Sequence, residues 1–147
     1  MVNPFVFGAV LLAVAPQVAF AGAQCTKGSE FDPPLCRLTM PHIVRVTIEE
    51  NAAKSSLEKE PSVDCSDFAL TQRLVRRYFS RAKRVPAGTG HATLDWSACY
   101  ASGTLLLKNG RSARWAISQF RVGSLVLDGQ PEQTLYCPTC KDKPFVW

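Results

Sequence analysis

Residues 100–120 read YASGTLLLKNGRSARWAISQF, and this stretch decides the fold. Two segments rich in aliphatic and aromatic residues, 100–107 and 112–120, flank Asn109-Gly110. Asn-Gly between two such segments predicts a β-hairpin closed by a type I′ turn, whose two central residues both take positive φ. A two-residue turn also fixes the register. Lys108 then faces Arg111, Leu106 faces Ala113, Thr104 faces Trp115 and Ser102 faces Ile117. This pairing gathers Thr104, Leu106, Ala113, Trp115 and Ile117 on the expected core side. Leu105 and Leu107 share the other side with Ser112 and Arg114.

The pattern continues on both sides of the hairpin. Residues 124–127 predict a third strand, ended by Asp128-Gly129, and residues 134–137 a fourth. Upstream, Val44, Val46 and Ile48 alternate with Arg45, Thr47 and Glu49, the period of a half-buried strand. Residues 49–62 are polar and contain Glu58-Lys59-Glu60-Pro61, which reads as a loop or a weak helix. Residues 66–85 predict a helix, capped by Ser66 or Asp67 and stopped by Pro86 and Gly88. Its apolar stripe holds Phe68, Leu74, Val75, Tyr78, Phe79, Ala82 and Val85. Arg73, Arg76, Arg77, Arg81, Lys83 and Arg84 lie on its other face. The expected fold is α+β: an antiparallel meander of four to five strands with one amphipathic helix on one face, stabilised by disulfides.

Residues 1–15 carry no charge and hold Phe5, Val6, Phe7, Val10, Leu11, Leu12 and Val14. Pro16 interrupts them and Ala19-Phe20-Ala21 follows, the layout of a secretory signal peptide over residues 1–21. Cleavage is expected after Ala21, with Ala23 as the second choice. The apolar run is about a dozen residues, whereas a membrane span needs roughly 20. Gln24 precedes Cys25, where lipid attachment favours Gly, Ala or Ser. The mature chain, residues 22–147, fits one domain without a transmembrane segment, in the periplasm or outside the cell.

Export changes how the six cysteines read. An even number of thiols in an oxidising compartment implies a disulfide framework. The expected pairing joins Cys25 to Cys36, and Cys65 and Cys99 to Cys137 and Cys140 in either order. The net charge of +5 points to acidic partners: anionic lipid, nucleic acid or an acidic protein surface.

Cys137-Pro138-Thr139-Cys140 matches the spacing of a thiol-disulfide oxidoreductase, but no helix follows to stabilise a thiolate. The other thiols are scattered, which speaks against zinc, and no metal or cofactor is expected. His42 and His91 stand outside any metal or nucleophile motif. Ser97, His91 and Asp95 could be drawn as a triad, but nothing resembles a nucleophile elbow. Asp95 is the one acid close to aromatic residues, Trp96 and Tyr100, while Glu49 and Glu50 fall at the other end of the expected sheet. There is no phosphate loop and no dinucleotide fingerprint. The basic helix face is the leading binding candidate. Its aromatic residues lie on the apolar side, which disfavours nucleic acid. Phe145-Val146-Trp147 is a second candidate, either an anchor for a partner's pocket or a tail folded onto the domain.

Asp95-Trp96-Ser97-Ala98-Cys99, Ser102-Gly103 and Leu135-Tyr136-Cys137-x-x-Cys140 together resemble a group of small exported proteobacterial proteins of unassigned function. The resemblance covers about the last 80 residues and brings no catalytic residues. Small exported proteins of this size and disulfide content are similar to periplasmic immunity proteins and enzyme inhibitors. The expectation is therefore a non-enzymatic binding protein that neutralises another protein, such as a toxin or an enzyme. Anionic lipid or lipopolysaccharide binding through the basic helix face is the alternative, and thiol-disulfide exchange through Cys137 and Cys140 a further one.

Overall fold

A computed structural model describes residues 24–89 and 93–146. The expected signal segment over residues 1–21, both expected cleavage positions, His91 and Trp147 lie outside the described residues. Among the described residues the chain forms seven strands and one helix. The strands are β1 (Cys36–Arg37), β2 (Ile43–Lys54), β3 (Lys83–Val85), β4 (Cys99–Leu107), β5 (Ser112–Ser118), β6 (Val122–Leu127) and β7 (Gln133–Tyr136). The helix α1 (Gln72–Arg81) falls between β2 and β3. All strands join one antiparallel sheet in the order β1-β3-β7-β6-β5-β4-β2. The meander β4–β7 is the expected one. The sheet exceeds four to five strands because β1 and β3 extend it beyond β7. At two and three residues they are too short to show a period.

The helix face of the sheet is the core. Phe68, Leu70, Val75, Tyr78, Phe79 and Ala82 pack on alternate residues of the sheet: Ala101, Leu105, Leu107, Ala113, Trp115, Ile117, Leu125 and Leu135. Phe145 folds back into this cluster, edge-on to Phe68 at 5.8 Å and stacked on Tyr78 at 6.0 Å between ring centres. Gly123 leaves room for the Tyr78 ring, since a Cβ there would stand 2.7 Å from its hydroxyl oxygen. That hydroxyl donates to the Arg121 carbonyl at 3.0 Å.

The hairpin register differs from the expected one by a single residue. The Leu107 N–H donates to the Arg111 carbonyl, and Leu105 pairs with Ala113. The turn therefore has three residues, 108–110, and of these Gly110 alone has positive φ, at 80°. This is the longer hairpin turn in which a glycine relieves the bulge. The Asn109 side chain accepts from the Arg111 N–H at 3.1 Å and steadies it. One extra turn residue inverts β4, so Leu105 and Leu107 enter the core while Leu106 and Thr104 face away.

The helix is shorter than residues 66–85. Thr71 caps it, accepting from the Leu74 N–H at 3.2 Å. The preceding residues make turns instead: Asp64 accepts from the Ser66 N–H, and the Asn51 amide grips both backbone polar groups of Leu70. At the other end, sheet pairing of residues 83–85 with β7 overrides helix propensity. Residues 49–54, expected as loop or weak helix, continue β2 as an edge strand. They are polar because they are exposed, and they are bulged at positive-φ Ala52.

The disulfides are Cys25–Cys36, Cys65–Cys99 and Cys137–Cys140. The first is as expected, and the expected cross-pairing of the other four is corrected. Cys137 leaves β7 into a tight turn, closed by the Cys140 N–H on the Cys137 carbonyl at 3.2 Å, so these two thiols are adjacent. Cys65 meets Cys99 where β4 begins.

Candidate functional site: a cleft on the open face of the sheet

Side chains of the sheet that point away from α1 include Tyr100, Ser102, Thr104, Ala116, Ser118, Ser124 and Thr134. Pro86, Gly88 and residues 94–97 stand at one end of this face and border a cleft of about 520 Å³. Asp95, Trp96 and Ser97 line its rim, Tyr100, Ser118 and Ser124 its floor, and Glu132 its far side. The volume lies in the usual range of pockets that hold a ligand group.

Local bonds hold the rim. Pro86 to Thr89 form a turn with Gly88 at φ 80°, in which the Thr89 hydroxyl donates to the Pro86 carbonyl at 2.7 Å. The Cys99 N–H donates to Ser97 Oγ at 3.1 Å, and the Ser55 N–H donates to the Ala98 carbonyl at 2.8 Å. The Cys65–Cys99 disulfide fixes the same point covalently. Trp96 stands on this braced segment and is 58% exposed. Phe31 and Leu57 are more exposed, at 78% and 76%, but of these exposed side chains Trp96 is the one that lines the cleft.

The electrostatics of the cleft differ from those of the whole chain. Among the described residues its lining holds two carboxylates, Asp95 and Glu132, and no Lys, Arg or His. Beside it, at the β2 edge of the same face, Glu50 accepts from the Tyr100 hydroxyl at 3.2 Å and from the Ser102 hydroxyl at 2.7 Å. Burial first, then the bond to Glu50 and its charge, push the Tyr100 hydroxyl above its ordinary value of 10.0. The phenol therefore stays a neutral donor. Ser118 Oγ is buried in the cleft wall and has no hydrogen-bond partner among the described residues.

The structure divides the residues of the basic helix face. Arg73, Arg76, Arg77 and Arg81 lie on α1, while Lys83 and Arg84 lie in β3 and point to opposite sides of the sheet. Arg76 donates to the Ile43 and Val44 carbonyls at 2.7 and 2.9 Å, tying the helix to the edge of β2. Arg77 pairs with Asp142 at 2.8 Å, with Arg81 at 3.8 Å from the same carboxylate. Three of the six cations are thus engaged within the fold. Cys137 and Cys140 are bonded to each other, 0% and 3% exposed, which keeps their sulfurs from an external thiolate. His42 is exposed, and its carbonyl accepts from the Lys108 N–H. Phe145 belongs to the core rather than to a free anchor.

Asp95, Trp96 and Tyr100 were legible as a local group of an acid and two aromatics, and the structure does bring them to one cleft. Glu50 joins the same neighbourhood because β2 pairs Glu50 with Ser102. Ser118, Ser124 and Glu132 carry no sequence signal: sheet pairing places the two serines there, and Glu132 lies in the loop just before β7. Among the described residues no cluster of three or more His, Cys, Asp or Glu is placed to hold a metal ion, and no helix is long and apolar enough to cross a membrane. Comparison with family models, curated proteins and solved structures finds no match to this chain.

Proposed function

We propose that this chain is an exported, non-enzymatic binding protein that captures and neutralises another protein, as immunity proteins and enzyme inhibitors do. The observation that carries this reading is Trp96, 58% exposed on the braced rim of a cleft of about 520 Å³. Exposed aromatics beside a pocket are the residues that dominate protein interfaces. A rim already fixed by a disulfide and backbone bonds loses little conformational entropy on binding. Three disulfides fit a protein that works in an oxidising compartment. The basic residues of α1 support a lipid-binding role less well, because Arg76, Arg77 and Arg81 already have partners in the fold.

The test uses mature wild-type protein, Trp96→Ala and Arg73→Glu as affinity baits for the exported fraction of the source cell. Size-exclusion chromatography with light scattering then measures stoichiometry, and the captured protein's own activity is assayed with and without the bait. The expected result is a 1:1 complex with wild type and Arg73→Glu, lost with Trp96→Ala, in which the captured protein is inactive. No stoichiometric complex, or one indifferent to Trp96, rejects the reading.

A further inference from the structure

The cleft combines three features that select for one kind of chemical group. Asp95 and Glu132 put negative charge into a lining that holds no Lys, Arg or His among the described residues, while Arg121 borders the small neighbouring pocket on the other side of Asp95. Trp96 offers an open indole face, the best aromatic surface for a cation. The Tyr100 hydroxyl on the floor donates to Glu50, a third carboxylate, which lies on the same face at the β2 edge of the sheet. These features are local to a chain whose net charge is +5. Charges farther away than about 8 Å are largely screened at physiological salt, so the carboxylates of the lining weigh more in the cleft than the net charge of the chain.

We propose that this cleft takes the guanidinium or ammonium head of an Arg or Lys side chain projecting from the partner protein. Asp95 and Glu132 pair with its charge, and Trp96 covers its apolar stem and head. A volume of about 520 Å³ admits one long side chain with its flanking backbone. The inference rests on the protein-binding reading above and names the chemistry that the partner presents. An anionic partner, the natural expectation from the net charge, would meet repulsion here.

The probes are Nα-acetyl-arginine methylamide, its neutral isostere Nα-acetyl-citrulline methylamide, and butylguanidinium, a cation without a peptide backbone. Binding to the full mature protein is followed by ¹H–¹⁵N correlation spectra at the Trp96 indole N–H and the amides of Asp95, Ser118 and Ser124. For molecules of this size the arginine probe should saturate on the order of 1 mM. The citrulline probe should bind at least tenfold more weakly, and butylguanidinium more weakly than the arginine probe. Asp95→Asn and Glu132→Gln should each weaken the arginine probe about fivefold, the size of a partly desolvated ion pair. Trp96→Ala should cost about as much. Unchanged spectra outside the cleft show that each variant is folded.

Equal binding of citrulline and arginine, or no saturable shift at all, overturns the inference. Butylguanidinium binding as tightly as the arginine probe overturns the assignment to a protein side chain in favour of a free organic cation. If a Trp96-dependent protein complex forms while the arginine probe does not bind, the cation inference falls and the protein-binding reading stands. If the arginine probe binds with charge dependence and no protein complex forms, the cation chemistry stands and the protein-binding reading falls.

Discussion

Phe145→Ala should destabilise the domain by about 3 kcal/mol. Phe145 is 7% exposed although it follows the last strand, and its ring contacts Phe68 and Tyr78 at 5.8 and 6.0 Å. Its segment is also tied by the Val146 N–H on the Gln119 carbonyl at 3.1 Å. Core Phe→Ala substitutions cost about 3–5 kcal/mol. The lower end applies because a segment beyond the last strand can relax toward the space left behind. With a urea m-value of about 1.5 kcal/mol/M for a domain this small, the midpoint falls by about 2 M. The melting temperature falls by about 12 °C, at about 4 °C per kcal/mol. Urea titration followed by tryptophan fluorescence reads this directly, and m should stay unchanged. A midpoint shift below about 0.5 M would refute the placement. It would mean that the tail is not part of the core and is free to act as a partner anchor.

Three further outcomes are expected. The Cys65–Cys99 disulfide joins residues 34 apart and Cys137–Cys140 residues 3 apart, so loop entropy assigns them about 3.7 and 1.6 kcal/mol. Paired Cys→Ala variants should keep that order in urea titrations, and the reverse order would contradict the pairing. A Cβ at Gly103 would run into the Thr47 carbonyl and stand 3.1 Å from the Glu49 nitrogen, so Gly103→Ala should cost about 2 kcal/mol by urea titration and loosen β2 in hydrogen exchange. A cost below about 0.5 kcal/mol would mean that β2 does not approach β4 as closely as described. Burial first, and then the Tyr136 charge, raise the Tyr78 hydroxyl far above its ordinary value of 10.0. Its folded pKa exceeds its unfolded one, so the stability it supplies is complete below about pH 10 and is lost as pH rises above that. Absorbance at alkaline pH should show Tyr78 ionising only as the domain unfolds, and Tyr78→Phe should remove that step.

The meander was legible because β4 to β7 alternate over four or more residues with turn signals between them. The register was not, because Asn109-Gly110 fits both a two-residue and a three-residue turn. The choice depends on which β4 residues the core accepts. Leu105 and Leu107 fill the space under α1 better than Thr104 and Leu106 would. The apolar stripe of α1 was visible, but its ends were set by tertiary partners: Asn51 on Leu70, and β7 on residues 83–85. The disulfides depended on the same tertiary geometry. At the cleft, Asp95, Trp96 and Tyr100 are near in sequence and could be seen together. Ser118 and Ser124 come from strands of the legible meander and Glu132 from the loop before β7, but none of the three carries a signal of its own that points to a cleft.

The proposed role of the cleft as a binding surface is tested most directly by hydrogen–deuterium exchange of residues 22–147, alone and in the 1:1 complex that the proposed function expects. Protection is expected in residues 94–100, 116–118, 122–124 and 132–134, with α1 unchanged. Protection confined to α1 and β3, with the cleft segments exchanging as in the free protein, would contradict it.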